Sequence, residues 1–156
     1  MSDTATQTAA LPKVPYRGLR PYRYADQAIF FARDAEKRAL FRKVAIYPGV
    51  LLYGDQGSGK SSLINAGLLP LAMEEGMAPE RIRVQPKLGQ EIVVERVQMG
   101  DEADAPFLAS RFESGTAGAG QLAFSVEEFE ARLAAEEGGP APLLIFDQFE
   151  EWITLG

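Results

Sequence analysis

Val50-Leu51-Leu52-Tyr53-Gly54-Asp55-Gln56-Gly57-Ser58-Gly59-Lys60-Ser61-Ser62-Leu63-Ile64 is the stretch on which the fold turns. Val50 to Tyr53 is a short apolar run, the pattern of a buried strand. Gly54 to Ser61 then matches G-x-x-x-x-G-K-[ST] in full, the Walker A form of a phosphate-binding loop. Each position has a chemical reason. Glycines allow positive φ and a close approach of the backbone, so that successive N–H groups can wrap a polyphosphate. Lys60 reaches the β- and γ-phosphates as a point charge and is the first catalytic candidate. The hydroxyl of Ser61 is a ligand for Mg²⁺. A helix from Lys60 to about Met73, with Leu63, Ile64 and Leu68 as its buried side, aims its positive end at the phosphates. Gly67 and Pro70 weaken its second half. The binding set is therefore Gly54, Asp55, Gln56, Gly57, Ser58, Gly59, Lys60, Ser61 and Ser62, and the ligand is a nucleoside triphosphate with Mg²⁺.

Such a loop holds phosphates but only half holds the metal, so a carboxylate is expected at the end of a neighbouring strand. Leu143-Leu144-Ile145-Phe146-Asp147 supplies four apolar residues and then Asp, the Walker B form at 143–147. Ligands of open α/β sheets collect at the carboxyl ends of strands, which makes Asp147 the second metal-side candidate. Glu150 and Glu151 follow. Either could polarise an attacking water, or both could open a solvated helix.

Around these two motifs the chain alternates helix and strand. Residues 1–15 are rich in Thr, Ala and Pro and read as a disordered lead-in, leaving 16–156 as the folded part. Gly18 and Pro21 make an irregular loop with aromatic anchors. Asp26 can cap a short turn carrying Ile29, Phe30 and Phe31. Asp34 can cap a helix over about Ala35 to Ile46, stopped by Pro48-Gly49. Arg81 to Gln85 and Glu91 to Met99 favour extended structure. Gly100 to Ala105 is an acidic turn, and Gly115 to Gly120 a flexible loop. Ser125-Val126-Glu127-Glu128 is a capping-box signature opening a helix to about Glu136, which Gly138 to Pro142 ends. Short, wholly apolar strands separated by helices predict an α/β fold: a three-layer sandwich with a mostly parallel sheet, here incomplete.

The chain has 156 residues and a net charge of −6, which is a poor match to nucleic acid, where phosphates are neutralised by clustered Lys and Arg. It has no Cys and no His, so disulfides, thiol nucleophiles and the usual general base are excluded. Acid–base work falls to carboxylates, hydroxyls and water. Met1 to Ala10 lacks a signal-peptide pattern, and no stretch approaches the roughly 20 apolar residues of a membrane span. The expectation is a cytoplasmic protein without a membrane or nucleic-acid partner.

Taken together, these residues resemble the STAND class of P-loop NTPases, specifically the novel-STAND branch often found ahead of WD40 or other repeats in bacterial proteins. Gly18-Leu19-Arg20-Pro21-Tyr22 through Phe30-Phe31-Ala32-Arg33-Asp34 is similar to the family's G-L-R-P-F lead and F-F-G-R-[DE] motif. Gly59-Lys60-Ser61-Ser62-Leu63-Ile64-Asn65-Ala66-Gly67-Leu68-Leu69-Pro70 is close to its loop and following helix. Leu144 to Leu155 is similar to its D-Q-F-E-E segment. Ala32 stands where the family usually has Gly. The resemblance covers nearly all of the chain but only the first part of the family's NTPase module. The sensor strand, helical and winged-helix regions lie outside it.

The resemblance implies ATP as the nucleotide, Arg33 near the adenine or phosphates, Asp147 serving the metal, and Glu150 or Glu151 serving hydrolysis. It implies a signalling switch that hydrolyses ATP slowly, or only with further domains or partners, through self-association or C-terminal repeats. Two alternatives stand beside it: a remnant or interaction module without turnover, and a small P-loop kinase. A sheet lacking strands would leave Phe146, Phe149, Trp152 and Ile153 as candidate exposed apolar surface.

Overall fold

Gly18 and Pro21 keep the chain irregular until Arg23, after which a 3₁₀ helix runs over Tyr24–Ile29. Asp26 is fully buried within this turn, and its carboxylate accepts the Arg23 N–H at 2.7 Å. Asp26 is thus the third helical residue reaching back to the cap, rather than the cap expected of it. The computed structural model describes residues 18, 20–85, 91–99, 105–112, 121–135 and 139–147. The lead-in 1–15, the turn at 100–104, the loop at 115–120, Glu136, Gly138, Phe149, Glu150, Glu151, Trp152 and Ile153 lie outside the described residues. The chain forms two units, Met1–Pro70 and Leu71–Gly156.

In the first unit, Ala32 adopts a φ of 64° and turns the chain into α1, Asp34–Ile46. Asp34 opens this helix, with Arg33 at the cap position. Asp34 and Glu36 in its first turn and Lys43 in its last complement the helix dipole. Leu40 is buried, and Pro48-Gly49 ends the element as expected.

Val50 to Tyr53 departs from expectation. It carries no strand pairing among the described residues, and Leu51 is 76% and Tyr53 85% exposed. An apolar run of four becomes a buried strand only where neighbours supply its ladder bonds and cover both its faces, and among the described residues these have no such neighbours. The glycine loop follows, and then a helical run: α2 over Lys60–Leu63, a π-helical turn over Ile64–Leu68, and α3 over Leu69–Glu74. The π turn explains how Pro70 is tolerated. The Leu69 N–H reaches back to the Ile64 carbonyl, and Pro70 then falls in the first turn of α3, where its missing N–H costs little.

The second unit holds a four-stranded sheet in the order β3-β2-β1-β4. Its strands are β1 Met77–Gln85, β2 Glu91–Glu95, β3 Gln121–Phe124 and β4 Ala141–Phe146. β1 pairs antiparallel with β2, β2 antiparallel with β3, and β1 parallel with β4. The sheet is therefore mixed, not mostly parallel. Residues 86–90 give β1 and β2 a connection too short for the crossover that a parallel pair requires. β1 also starts earlier than its β-branched residues suggested, and β2 stops at Glu95, with Gln98 bridging to Phe107.

Helix α4, Val126–Ala135, opens on the expected box: Ser125 N–H donates to Glu128 Oε2 and Glu128 N–H to Ser125 Oγ, both at 3.2 Å. Ile82, Ile92, Val94, Phe112, Phe124 and Phe129 form one core, with Leu122, Val126, Leu133 and Leu144 packed against it. Phe112 is fully buried and stacks on Phe129 with ring centroids 4.9 Å apart. Beside this core, buried Glu80 accepts from Ser110 Oγ at 2.8 Å and from the Arg111 N–H at 2.9 Å, tying the 105–112 segment to β1. As an edge strand, β4 buries only Ile145 and leaves Phe146 47% exposed.

Candidate functional site

The glycine loop has the backbone its sequence calls for. Gly54, Gly57 and Gly59 have φ of 156°, 82° and 84°. At Gly57 and Gly59 these are values an L side chain would resist. Ser58 N–H closes a turn on the Asp55 carbonyl at 3.2 Å. Gly59 is the left-handed cap of α2, and the first intrahelical bond runs from Leu63 N–H to the Gly59 carbonyl at 2.9 Å. The N–H groups of Lys60, Ser61 and Ser62 precede that bond and belong to the helix's donor end. A cradle of this kind suits an anion. A Cβ at Gly54 would meet Ser58 Oγ at 3.2 Å, so the loop is already tight without side chains.

Lys60 folds back over the loop. Its Nζ donates to the Gly54 carbonyl at 2.7 Å and the Asp55 carbonyl at 3.0 Å. Both acceptors are neutral, so phosphate oxygens would compete favourably for the same ammonium. Asp55, Gln56, Gly57 and Ser58 are exposed, and Ser61 is half-buried.

Arg33 lies against the loop. Its Nη1 donates to the Ser58 carbonyl at 3.2 Å, and its Nε donates to Glu36 Oε1 at 3.2 Å. A Cβ at Gly59 would come within 2.7 Å of Arg33 Nη1, so the glycine also makes room for the guanidinium. The sequence-derived set from Gly54 to Ser62 and Arg33 is thus assembled within one unit.

Ser62 has a further task. It is buried, and its Oγ accepts the Tyr22 N–H at 3.1 Å. Asn65 Nδ2 donates to the Tyr22 carbonyl at 3.1 Å. One turn of helix therefore grips both main-chain polar groups of Tyr22, whose ring packs on Phe30 at 5.4 Å. Lys37 makes a second tie. Its Nζ donates to the Phe30 carbonyl at 2.8 Å, while a Cβ at Gly67 would meet its Cγ at 2.9 Å. Sequence reasoning passed over Asn65 and Lys37 as site-supporting residues. Their only signals were a polar residue on a buried helix face and a glycine inside a helix.

Asp147 stands in the other unit, directly after β4. Its N–H donates to the Ile82 carbonyl at 3.1 Å, and its carboxylate accepts a bond from Arg81 Nη2. Arg81 Nε is also 3.4 Å from Glu95 Oε2. Arg81 and Glu95 entered the sequence reading only as parts of strands, because two charges on separate strands reveal no proximity until the register is known. Glu150 and Glu151 fall outside the described residues.

Among the described residues no cluster of three or more His, Cys, Asp or Glu could cage a metal. The donors on offer are a hydroxyl and single carboxylates. Each is a hard oxygen donor of the type that Mg²⁺ takes. No helix among the described residues is long and apolar enough to cross a membrane.

No curated protein and no solved structure matches the chain. The family described as Novel STAND NTPase 1 matches residues 15–156, spanning the Tyr22 strap, the glycine loop and the strand that precedes Asp147. On that match the chain belongs to the Novel STAND NTPase 1 family.

Proposed function

We propose that this chain is the nucleotide-binding module of an ATP-driven signalling switch, acting with Mg²⁺ and hydrolysing ATP slowly. The observation that carries the reading is the glycine loop: three glycines at positive φ leading into a helix, with Lys60 and Arg33 both laid on the loop backbone. In this reading the fold is a P-loop NTPase sandwich. Lys60 exchanges its two carbonyl acceptors for β- and γ-phosphate oxygens, and the leading N–H groups of the helix take the remaining phosphate charge. Ser61 and Asp147 are the metal-side oxygens. The metal supplies charge neutralisation at the phosphates. Arg33, fixed by Glu36, orients the loop and faces the nucleotide. Glu150 or Glu151 positions the attacking water. Further domains or a second copy of the chain supply what turnover still lacks.

Equilibrium binding of a fluorescent ATP analogue with Mg²⁺ tests the reading. Saturable binding that Lys60→Ala weakens at least about tenfold, or about 1.4 kcal/mol, supports it. No binding by folded wild-type protein sinks it. Val50 to Tyr53, which has no ladder partner among the described residues and exposes Leu51 and Tyr53, favours a second reading, a remnant or interaction module without turnover. Phosphate release on adding ATP and Mg²⁺ separates the two.

A further inference from the structure

Ser62 faces two ways. Its main-chain N–H belongs to the donor end of the helix that follows the glycine loop. Its hydroxyl is turned away from solvent and accepts the Tyr22 N–H at 3.1 Å. Tyr22 begins a strap that runs through the 3₁₀ helix Tyr24–Ile29 to Arg33. The far end of the strap returns to the same loop, where Arg33 Nη1 donates to the Ser58 carbonyl at 3.2 Å. Both ends are thus held by residues of the phosphate loop, within one unit. Between them the strap buries Phe30, leaves Phe31 72% exposed, and is held at the Phe30 carbonyl by Lys37 Nζ at 2.8 Å. Directional bonds rather than a broad apolar face keep it in place, so its opening is a local event.

An anion that engages the Ser62 N–H fixes the main chain of that residue. A hydroxyl on a fixed main chain gives up less freedom in holding Tyr22. We propose that Ser62 couples phosphate occupancy of the loop to closure of the Tyr22–Arg33 strap: a filled site holds the strap shut, and an open strap weakens the site. This rests on the reading of the loop as the phosphate site of a nucleotide. The two effects are one free energy seen from either end. Arg33 acts in the same direction, because a loop ordered around phosphates presents a fixed Ser58 carbonyl. The state of the loop is thereby expressed along Tyr22 to Phe30 as well as at the phosphates.

Amide hydrogen exchange of the full chain, read at Tyr22, Asp26 and Phe30, tests the link. The Asp26 and Phe30 N–H groups bond the Arg23 and Gln27 carbonyls inside the strap, so they report its opening from outside the loop. A saturating ATP analogue with Mg²⁺ slows exchange at these amides about tenfold. Magnesium tripolyphosphate, which has neither base nor sugar, does the same at concentrations that displace a fluorescent ATP analogue. Slowing by the ATP analogue but not by bound tripolyphosphate means that base or sugar touches the strap directly, and overturns the link. Ser62→Ala keeps the N–H and removes the hydroxyl, so the slowing at Asp26 and Phe30 falls below about threefold, and Ser62→Thr restores it. Ser62→Cys, a poorer acceptor of similar shape, serves if Ser62→Ala does not fold. Lys37→Met loosens the strap at Phe30 through a bond that does not involve the loop. It speeds exchange with and without ligand and leaves the ratio unchanged. A ratio that Lys37→Met abolishes as fully as Ser62→Ala, or that Ser62→Ala leaves intact, overturns the role of Ser62. Ligand that binds wild type without slowing exchange overturns the link alone. Failure of both ligands to bind, or tripolyphosphate that never displaces the analogue, overturns the phosphate-site reading and the link with it.

Discussion

In the unit that carries the glycine loop, six large apolar side chains are exposed among the described residues: Phe31, Ile46, Tyr47, Val50, Leu51 and Tyr53. In the unit that carries the sheet there are two, Met99 and Phe146. The first is tied by side chains that grip the main chain, as Ser62 and Asn65 hold Tyr22 and Lys37 holds Phe30. The second is tied by aromatic packing around Phe112 and by the buried Glu80 network. The difference reflects the task of each unit. A phosphate-binding loop has to leave its N–H donors uncommitted and its backbone close to solvent, so it contributes little apolar burial of its own. Its flanks are then secured by directional bonds. A sheet has no such obligation and can bury one face outright.

The sharpest way to break this contrast is Phe112→Ala. Removing a fully buried, stacked ring should cost about 3–5 kcal/mol, read by denaturant unfolding. Hydrogen exchange should show the loss first in β1, β2 and β3. Equal loss in the helix after the glycine loop would mean that the two units share one cooperative core.

Asn65→Ala probes the other kind of tie. Leaving the Tyr22 carbonyl without this donor should cost about 1–3 kcal/mol. Limited proteolysis should find faster cleavage between Arg20 and Phe30 while α4 is unaffected. Unchanged cleavage would show that Ser62, Lys37 and the aromatic pair of Tyr22 and Phe30 hold the strap without Asn65.

The smallest expected effect is at Ala32. A φ of 64° disfavours Ala, whereas Gly there would lose more chain entropy on folding. These terms oppose each other, and Ala32→Gly should stabilise by about 0.5 kcal/mol, seen as a small rise in the denaturant midpoint. A fall would mean that the Ala32 methyl makes a contact worth more than the strain.

The local elements were largely legible. Ser125 and Glu128 spelled the box that opens α4, the Gly54–Ser61 pattern set the loop geometry, and Leu143 to Phe146 marked β4. The misreadings came where a residue's fate depends on distant neighbours. Val50 to Tyr53 reads as a buried strand because periodicity reports apolar content, while a strand also needs a ladder. The sheet reads as parallel because apolar runs suggest cover on both faces. Yet Glu80, Arg81 and Glu95 put polar groups into β1 and β2, and the short 86–90 connection forces an antiparallel pair. Of the site, every loop residue was visible in sequence. The supporting residues, Asn65 and Lys37 in the loop's unit and Arg81 and Glu95 around Asp147, were not, because their pairings are set by the fold and not by local spacing.

The π turn at Ile64–Leu68 is in effect one residue more than an α-helix would use over the same span. The surplus is a reserve of length. Deleting a single residue from 64–68 would let the turn relax to ordinary winding while the downstream part kept close to its present facing. Leu69, now 1% exposed, would stay on its buried side. A deletion in α1, which has no such reserve, would instead rotate everything downstream in that helix by about 100°.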